Sequence, residues 1–75
     1  MNSREPERLH ARTQLLKLLA RLDDDKRDVF VLYELEQLPM AEVADIVGCQ
    51  RATAYSRLAA ARQQLMGMIS KLPKT

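Results

Sequence analysis

The sequence contains few residues of several kinds, and each shortage excludes a class of protein. Its 75 residues include one cysteine, Cys49, so no internal disulfide can form. Aromatic residues make up only 4% of the chain, so aliphatic side chains must fill the core. No apolar run approaches the roughly 18 residues that suggest a membrane span, and the polar N-terminus has no apolar signal-peptide core. We therefore expect no membrane partner, no export and a reduced, cytoplasmic setting.

Catalytic and metal-binding constellations are missing from the sequence as well. The single histidine, His10, has no accompanying arrangement of serine, cysteine or carboxylate residues. No histidine or second cysteine lies at metal-ligand spacing from Cys49, which is expected to serve in packing. The acidic run from Asp23 to Asp25 is a candidate cation site, but a helix cap explains it more simply. We expect no enzymatic activity, no catalytic or metal-binding residues and no cofactor.

Acidic residues are absent from the last third of the chain. Residues 1–21 carry five Lys or Arg against two Glu, a balance of +3, whereas residues 22–49 carry two against eight Asp or Glu, a balance of −6. Residues 50–75 carry five basic residues and no acid, so the three blocks sum to the net charge of +2. A basic segment of this kind indicates an anionic partner, most often nucleic acid. The alternative is that basic residues simply favour helix C-termini and solvated faces.

Apolar periodicity over the first half of the chain predicts two helices. Leucines at helical spacing predict a first helix from Leu9 to Leu22, preceded by a flexible start over residues 1–8. The run from Asp23 to Asp25 supplies an N-cap and an acidic first turn for a second helix. That helix is expected to extend to about Gln37.

Two further helices follow, and the predicted fold is all-α. Leu38-Pro39 separates the second helix from a short third helix at about residues 40–47, because the residue before proline avoids the helical region. Gly48 ends the third helix, since glycine readily adopts the left-handed conformation. A fourth helix is expected over about residues 51–72.

The last two helices have the outline of a helix-turn-helix at about residues 40–62, within a domain of four helices that covers residues 9–72. Ala44 is small enough for close helix approach, and Gly48 lies at the corner. No strand pattern accompanies the motif, so no wing is expected. A generic αα-hairpin is the alternative explanation of this spacing. The apolar positions expected to face inward are Val43, Val47, Cys49, Ala54 and Leu58.

A helical wheel divides the fourth helix into two faces. The inward face is expected to carry Ala54, Leu58, Ala61 and Leu65. Tyr55 and Arg57 flank the opposite face on its two edges. If this helix enters a major groove, its N-terminal half supplies base contacts while arginines hold phosphates. The outward face carries Ala52, Thr53, Ser56, Ala59, Ala60 and Gln63.

The stretch RLDDDKRDVFVLYELEQLPMAEVADIVGCQRATAYSRLAAARQQL resembles region 4 of bacterial sigma-70-type factors, especially the extracytoplasmic-function group. The similarity covers roughly residues 15–65 without a gap. The positions that match the family pattern are Leu22, Arg27, Val29, Phe30, Leu32, Glu34, Leu35, Leu38, Glu42, Ala44, Gly48, Thr53, Ser56, Arg57, Leu58, Ala61 and Arg62.

The resemblance implies a function in transcription initiation. Region 4 of that family recognises the −35 promoter element in double-stranded DNA, docks on the flap of the RNA polymerase β subunit and is a target of anti-sigma factors. Because the middle third of the chain is acidic, this docking is expected to use a protein-partner surface at Tyr33, Glu34, Leu35 and Glu36. The alternative is that these residues form an ordinary solvated acidic face. The residues expected to bind DNA are Arg51, Ala52, Thr53, Tyr55, Ser56, Arg57, Ala60 and Arg62.

Several positions depart from the family pattern. Ala52 replaces a usual glycine, and Ala54 replaces a usual valine. Tyr33, Tyr55 and Ala60 occupy positions that are often basic in the family. Each missing cation removes a potential phosphate or guanine contact, so weak DNA binding is expected.

Two other functions remain open for this sequence. One is a response-regulator-type helix-turn-helix, which reads DNA as a dimer, and the other is a helix-turn-helix used only for protein interaction. The segment over residues 65–72 is more apolar than an exposed helix end requires. It is expected to pack against the first helix, or alternatively to offer a surface for self-association or another partner.

Overall fold

The leucine repeat forms the first helix, α1 (Glu5–Leu19), of the computed structural model, which describes residues 5–73. The helix begins four residues before the predicted start at Leu9, because Glu5 and Glu7 favour a first turn and Pro6 is tolerated there. It also ends three residues before Leu22, in a tight turn in which successive N–H groups bond back three residues. The flexible start stays a prediction for residues 1–4, which lie outside the described residues, whereas residues 5–8 are helical.

The second helix, α2 (Asp24–Phe30), starts at the predicted acidic cap. The Asp23 side chain accepts a hydrogen bond from the backbone N–H of Lys26 at 3.1 Å, which confirms Asp23 as the N-cap. The continuous helix predicted up to Gln37 is wrong in its last part. After Phe30 the chain widens into a π-helical turn (Val31–Leu35).

The segment after the π-helical turn sets the direction of the third helix. Gln37 has a φ of 59°, a left-handed conformation that reverses the chain before Pro39. Pro39 is the N-cap of α3 (Met40–Val47), so the predicted break and the predicted helix are both confirmed. Gly48 ends α3 with a φ of 78°, also as predicted.

The fourth helix, α4 (Arg51–Ser70), is the longest of the described elements. It ends two residues before the predicted Leu72, where the last N–H groups bond back only three residues. All four residues predicted to face inward are buried along its length. They are Ala54, Leu58, Ala61 and Leu65.

The core consists of two clusters that lie along the two halves of α4. In the first cluster, residues of α2 and α3 pack on the N-terminal half of α4: Val29, Met40, Val43, Ala44, Ala54 and Leu58. In the second, α1 and the turn after it pack on the C-terminal half: Leu18, Leu19, Leu22, Ala61 and Leu65. Phe30 packs against both clusters and joins them. The predicted inward residues Val47 and Cys49 are partly buried against the first cluster.

The apolar segment at the end of α4 is divided between core and surface. Leu65 is buried, and Met68 and Leu72 pack against the α1 cluster, as one interpretation of this segment predicts. Met66 and Ile69 point the other way and are 70% and 52% exposed. None of the helices within residues 5–73 is long and apolar enough to cross a membrane.

The two glycines provide a matched test of the helix-turn-helix corner. A Cβ at Gly48 or at Gly67 would meet no atom within 4 Å, so neither substitution causes a clash. Gly48 nevertheless has a positive φ, whereas Gly67 is helical. We expect Gly48→Ala to lower the free energy of unfolding by about 1–2 kcal/mol through left-handed strain. Gly67→Ala should raise it by about 0.5–1 kcal/mol. Urea unfolding measures both, and equal effects would contradict the left-handed corner.

The cap of α2 predicts a pH-dependent stability. The Lys26 backbone N–H, and then its ammonium group, lower the pKa of Asp23 below its ordinary value of 3.8. A carboxyl whose pKa is lower in the folded state contributes stability above its unfolded pKa and loses it as the pH falls. Asp23→Ala should therefore be less stable than the wild type at pH 7, with the difference shrinking below about pH 4.

Thermal unfolding over a pH series measures this difference. Asp28→Ala removes an exposed aspartate from the same helix without removing the cap, and serves as the control. A wild-type advantage over Asp23→Ala that stays constant down to pH 2.5 would contradict the capping role of the charged carboxylate.

Candidate nucleic-acid interface

Burial of its inward residues fixes the rotation of α4 about its axis. Ala54 has no exposed surface and Leu58 is 2% exposed, so the opposite side of the first two turns must face solvent. The corner residue Gln50 adopts an extended conformation, and its side chain does not cap the helix. The N-terminal half of α4 is therefore presented beyond the corner with its polar side outward.

The residues predicted to contact DNA divide into an open group and an edge group. The open group consists of Arg51, Ala52, Thr53, Tyr55 and Ser56, all of which are exposed. The edge group consists of Arg57 and Ala60, which are half-exposed, and Arg62, which is paired with an acidic side chain. No aspartate or glutamate occurs in α4, so the open group contains no carboxylate. This face has the hydroxyl donors and acceptors that base edges require, with one cation at its start.

Arg57 lies at one edge of the face and points towards the start of α2. Its Nη2 atom is 3.9 Å from Oδ2 of Asp25, and its side chain is 28% exposed. Asp25 is itself 74% exposed, so solvent screens this ion pair strongly. The Arg57 side chain thus links α4 to α2 while remaining partly exposed.

Arg62 lies at the opposite edge and is paired with Glu34 of the π-helical turn. Its Nε atom donates to Oε1 of Glu34 at 2.9 Å, and its Nη2 atom donates to the same oxygen. The Arg62 side chain is 52% exposed and that of Glu34 is 32% exposed. This pair brings together one residue predicted to bind DNA and one predicted to bind a protein.

Tyr55 lies on the same edge as Arg62 and contacts Tyr33, another residue predicted to bind a protein. The two rings meet edge to face, with centroids 6.3 Å apart and planes inclined by 67°. Tyr55 is still 50% exposed, so the contact holds its ring in place without burying it. Two adjacent residues of the π-helical turn, Tyr33 and Glu34, thus contact α4 at two points along one edge.

The four residues predicted as a protein-partner surface therefore do not form a single patch. Tyr33 and Glu34 are half-buried and face α4, whereas Leu35 and Glu36 are exposed. Leu35 and Glu36 line a groove between α1 and the π-helical turn. The other residues that line this groove are Arg12, Leu15, Leu16 and Val31.

Sequence reasoning missed the acidic partners of the arginines in α4. Asp25 and Glu34 lie 32 and 28 positions before Arg57 and Arg62, so no helical spacing links either pair. The one available signal was the contrast between the acidic middle of the chain and its basic end, which indicates ion pairs without assigning them. Arg51 makes no ion pair within residues 5–73, and it carries the open positive charge of this face.

The structure offers no arrangement for metal chemistry in the part of the chain that it describes. Within residues 5–73, no three His, Cys, Asp or Glu side chains are grouped so that they could hold a metal ion. Cys49 is half-buried against the first core cluster.

Comparison with protein families supports the interpretation of α3 and α4 as a helix-turn-helix. The family model described as sigma-70, region 4 matches residues 12–65, which include the second half of α1, the whole of α2 and α3, and α4 up to Leu65. Comparisons of the chain with curated proteins and with solved structures gave no match.

Proposed function

Because the chain belongs to the sigma-70 region 4 family, whose members are DNA-binding domains of transcription initiation factors, we propose that it binds the −35 element of promoters through α4. The observation that carries this proposal is the open, acid-free face on the first two turns of α4. A major groove about 12 Å wide admits one helix, and only an unobstructed helix end can reach base edges. The proposed setting is the cytoplasm, where promoter DNA is found.

The open group supplies both kinds of contact that such a complex needs. Thr53 and Ser56 carry hydroxyls that can donate to or accept from base edges, and the methyl group of Ala52 can contact a thymine methyl. Arg51 and the Tyr55 hydroxyl lie at the borders of these residues and are proposed to bind phosphates. In this proposal the small side chains of Ala52, Thr53 and Ser56 discriminate between bases, whereas Arg51 and Tyr55 supply most of the affinity.

The edge group is proposed to act on the DNA backbone. Arg57 and Arg62 each lie beside a carboxylate, so neither offers its full charge to a base. Ala60 contributes no charge where the family often has one. Each phosphate contact adds about one unit to the salt dependence of log affinity, so few contacts mean weak binding. We therefore propose that this domain alone binds DNA weakly.

A second component of the proposed function is docking on protein. Leu16 and Leu35 are 51% and 44% exposed in the groove between α1 and the π-helical turn, with Arg12 and Glu36 also lining it. Apolar side chains beside charged ones are typical of protein-binding surfaces. We propose that this groove receives the flap of the RNA polymerase β subunit, and that an anti-sigma factor acts by covering it. Docking there leaves the open face of α4 free for DNA.

The DNA-binding proposal is tested by Ser56→Ala, with Gln63→Ala as the matched control. Both residues are exposed on the outer side of α4, but Gln63 lies about 10 Å further along the helix. Loss of one base contact should weaken binding by about 1 kcal/mol, or about fivefold. Fluorescence anisotropy with a duplex that the domain selects from a random pool measures the affinity. Equal affinities of wild type, Ser56→Ala and Gln63→Ala would refute the assigned face.

The docking proposal is tested by Leu35→Ala, with Met66→Ala as its control. Both substitutions shorten an exposed apolar side chain, but Met66 lies on α4, away from the groove. If Leu35 anchors the partner, its truncation should weaken binding by about 1–2 kcal/mol and mainly speed dissociation. Surface plasmon resonance with immobilised β flap measures both rates. Failure of the wild-type domain to bind the flap, or equal losses in both variants, would reject this docking site.

A further inference from the structure

We infer that Glu34 limits the DNA affinity of this domain by competing with phosphate for the guanidinium group of Arg62, an inference that rests on the proposed DNA binding. The pair lies on the same edge of α4 as Tyr55, because residues seven positions apart fall on one side of a helix. Arg62 is therefore about 10 Å further from the helix start than Tyr55. A duplex lying across the open face would bring backbone phosphates to this edge.

Glu34 occupies the part of Arg62 that a phosphate would use. Both Nε and Nη2 donate to one Glu34 oxygen, which takes up one fork of the guanidinium. Two parallel N–H groups of that kind are the usual bidentate site for carboxylate and phosphate alike. A phosphate must therefore displace Glu34 or bind through the remaining donors beside a negative charge.

The exposure of the pair makes the competition reversible. Arg62 is half-exposed and Glu34 about one-third exposed, so water and salt screen their attraction. An ion pair of this kind shifts an equilibrium by no more than a factor of about five. Glu34 thus reduces the phosphate affinity of Arg62 without abolishing it, and its charge also reduces the counterion release on which DNA binding depends.

Glu34→Gln isolates this charge effect from the support that Glu34 gives to α4. The glutamine amide oxygen can still accept a hydrogen bond from Nε of Arg62, so the contact between the π-helical turn and α4 is preserved. Glu36→Gln is the matched control, because it makes the same charge change two positions away. Glu36 is exposed, makes no ion pair within residues 5–73, and lines the groove on the α1 side.

The experiment is a titration of a duplex of about 20 base pairs and mixed sequence with the 75-residue chain. It is repeated at salt concentrations from about 50 to about 300 mM, over which the salt dependence of the affinity can be measured. Glu34→Gln should bind about three- to fivefold more tightly than Glu36→Gln. Its log affinity should also fall more steeply with log salt, by about one unit. In an Arg62→Gln background, the gain from Glu34→Gln should disappear. Circular dichroism and urea unfolding of every variant verify the fold.

Two results would overturn the inference while leaving the proposed function intact. In the first, Arg51→Ala weakens DNA binding relative to the wild type, but Glu34→Gln strengthens it no more than Glu36→Gln does. The other is weaker binding by a folded Glu34→Gln variant, which would show that the Glu34 charge supports the interface. Wild-type protein without any salt-dependent DNA binding would instead refute the proposed function, and this inference with it.

Discussion

The rotation of α4 about its own axis is the constraint on which the rest of the structure depends. Both core clusters are built on this helix, and its inward line of Ala54, Leu58, Ala61 and Leu65 takes part in both. The two alanines have no exposed surface, which allows neighbouring helices to approach α4 closely. Because side chains project from a helix at fixed angles, burying this line also determines which residues of the first two turns face solvent. Core packing and the candidate DNA-binding face are therefore two consequences of a single arrangement, and a substitution that rotates α4 would disturb both.

Local chemistry explains why much of this arrangement could be predicted from the sequence. Asp23 caps α2, Pro39 precedes α3 and Gly48 ends it because each residue type satisfies a backbone requirement within three or four positions. The inward line of α4 follows equally directly from the helical period. The flexible start predicted for residues 1–8 was wrong for residues 5–8, where Pro6 fits the first turn of α1. Boundaries were thus correct where one side chain determines them and wrong where a helix end depends on its neighbours.

The π-helical turn could not be predicted, because its setting depends on residues distant in sequence. It places Tyr33 beside Tyr55 and Glu34 beside Arg62, contacts that join positions 22 and 28 residues apart. Sequence periodicity reports how residues are arranged within one helix and contains no information about which edge of another helix they meet. For this reason the sequence predicts separate protein-partner and DNA-binding surfaces, whereas in the structure two of the four protein-partner residues, Tyr33 and Glu34, contact the DNA-binding helix α4.

This overlap relates the two proposed binding activities through one short turn. Tyr33 and Glu34 face α4, and the next two residues, Leu35 and Glu36, face the groove beside α1. Within residues 5–73, Arg51 is the one arginine of α4 that makes no ion pair, and a single such charge gains little affinity from phosphates alone. Attachment to a larger assembly through the groove would hold the face near DNA at a high effective concentration, so that two weak contacts together give firm binding without any new interaction. Under the proposed function, carboxylates beside Arg57 and Arg62 then serve selectivity, because they keep the unattached domain from binding DNA tightly by charge alone.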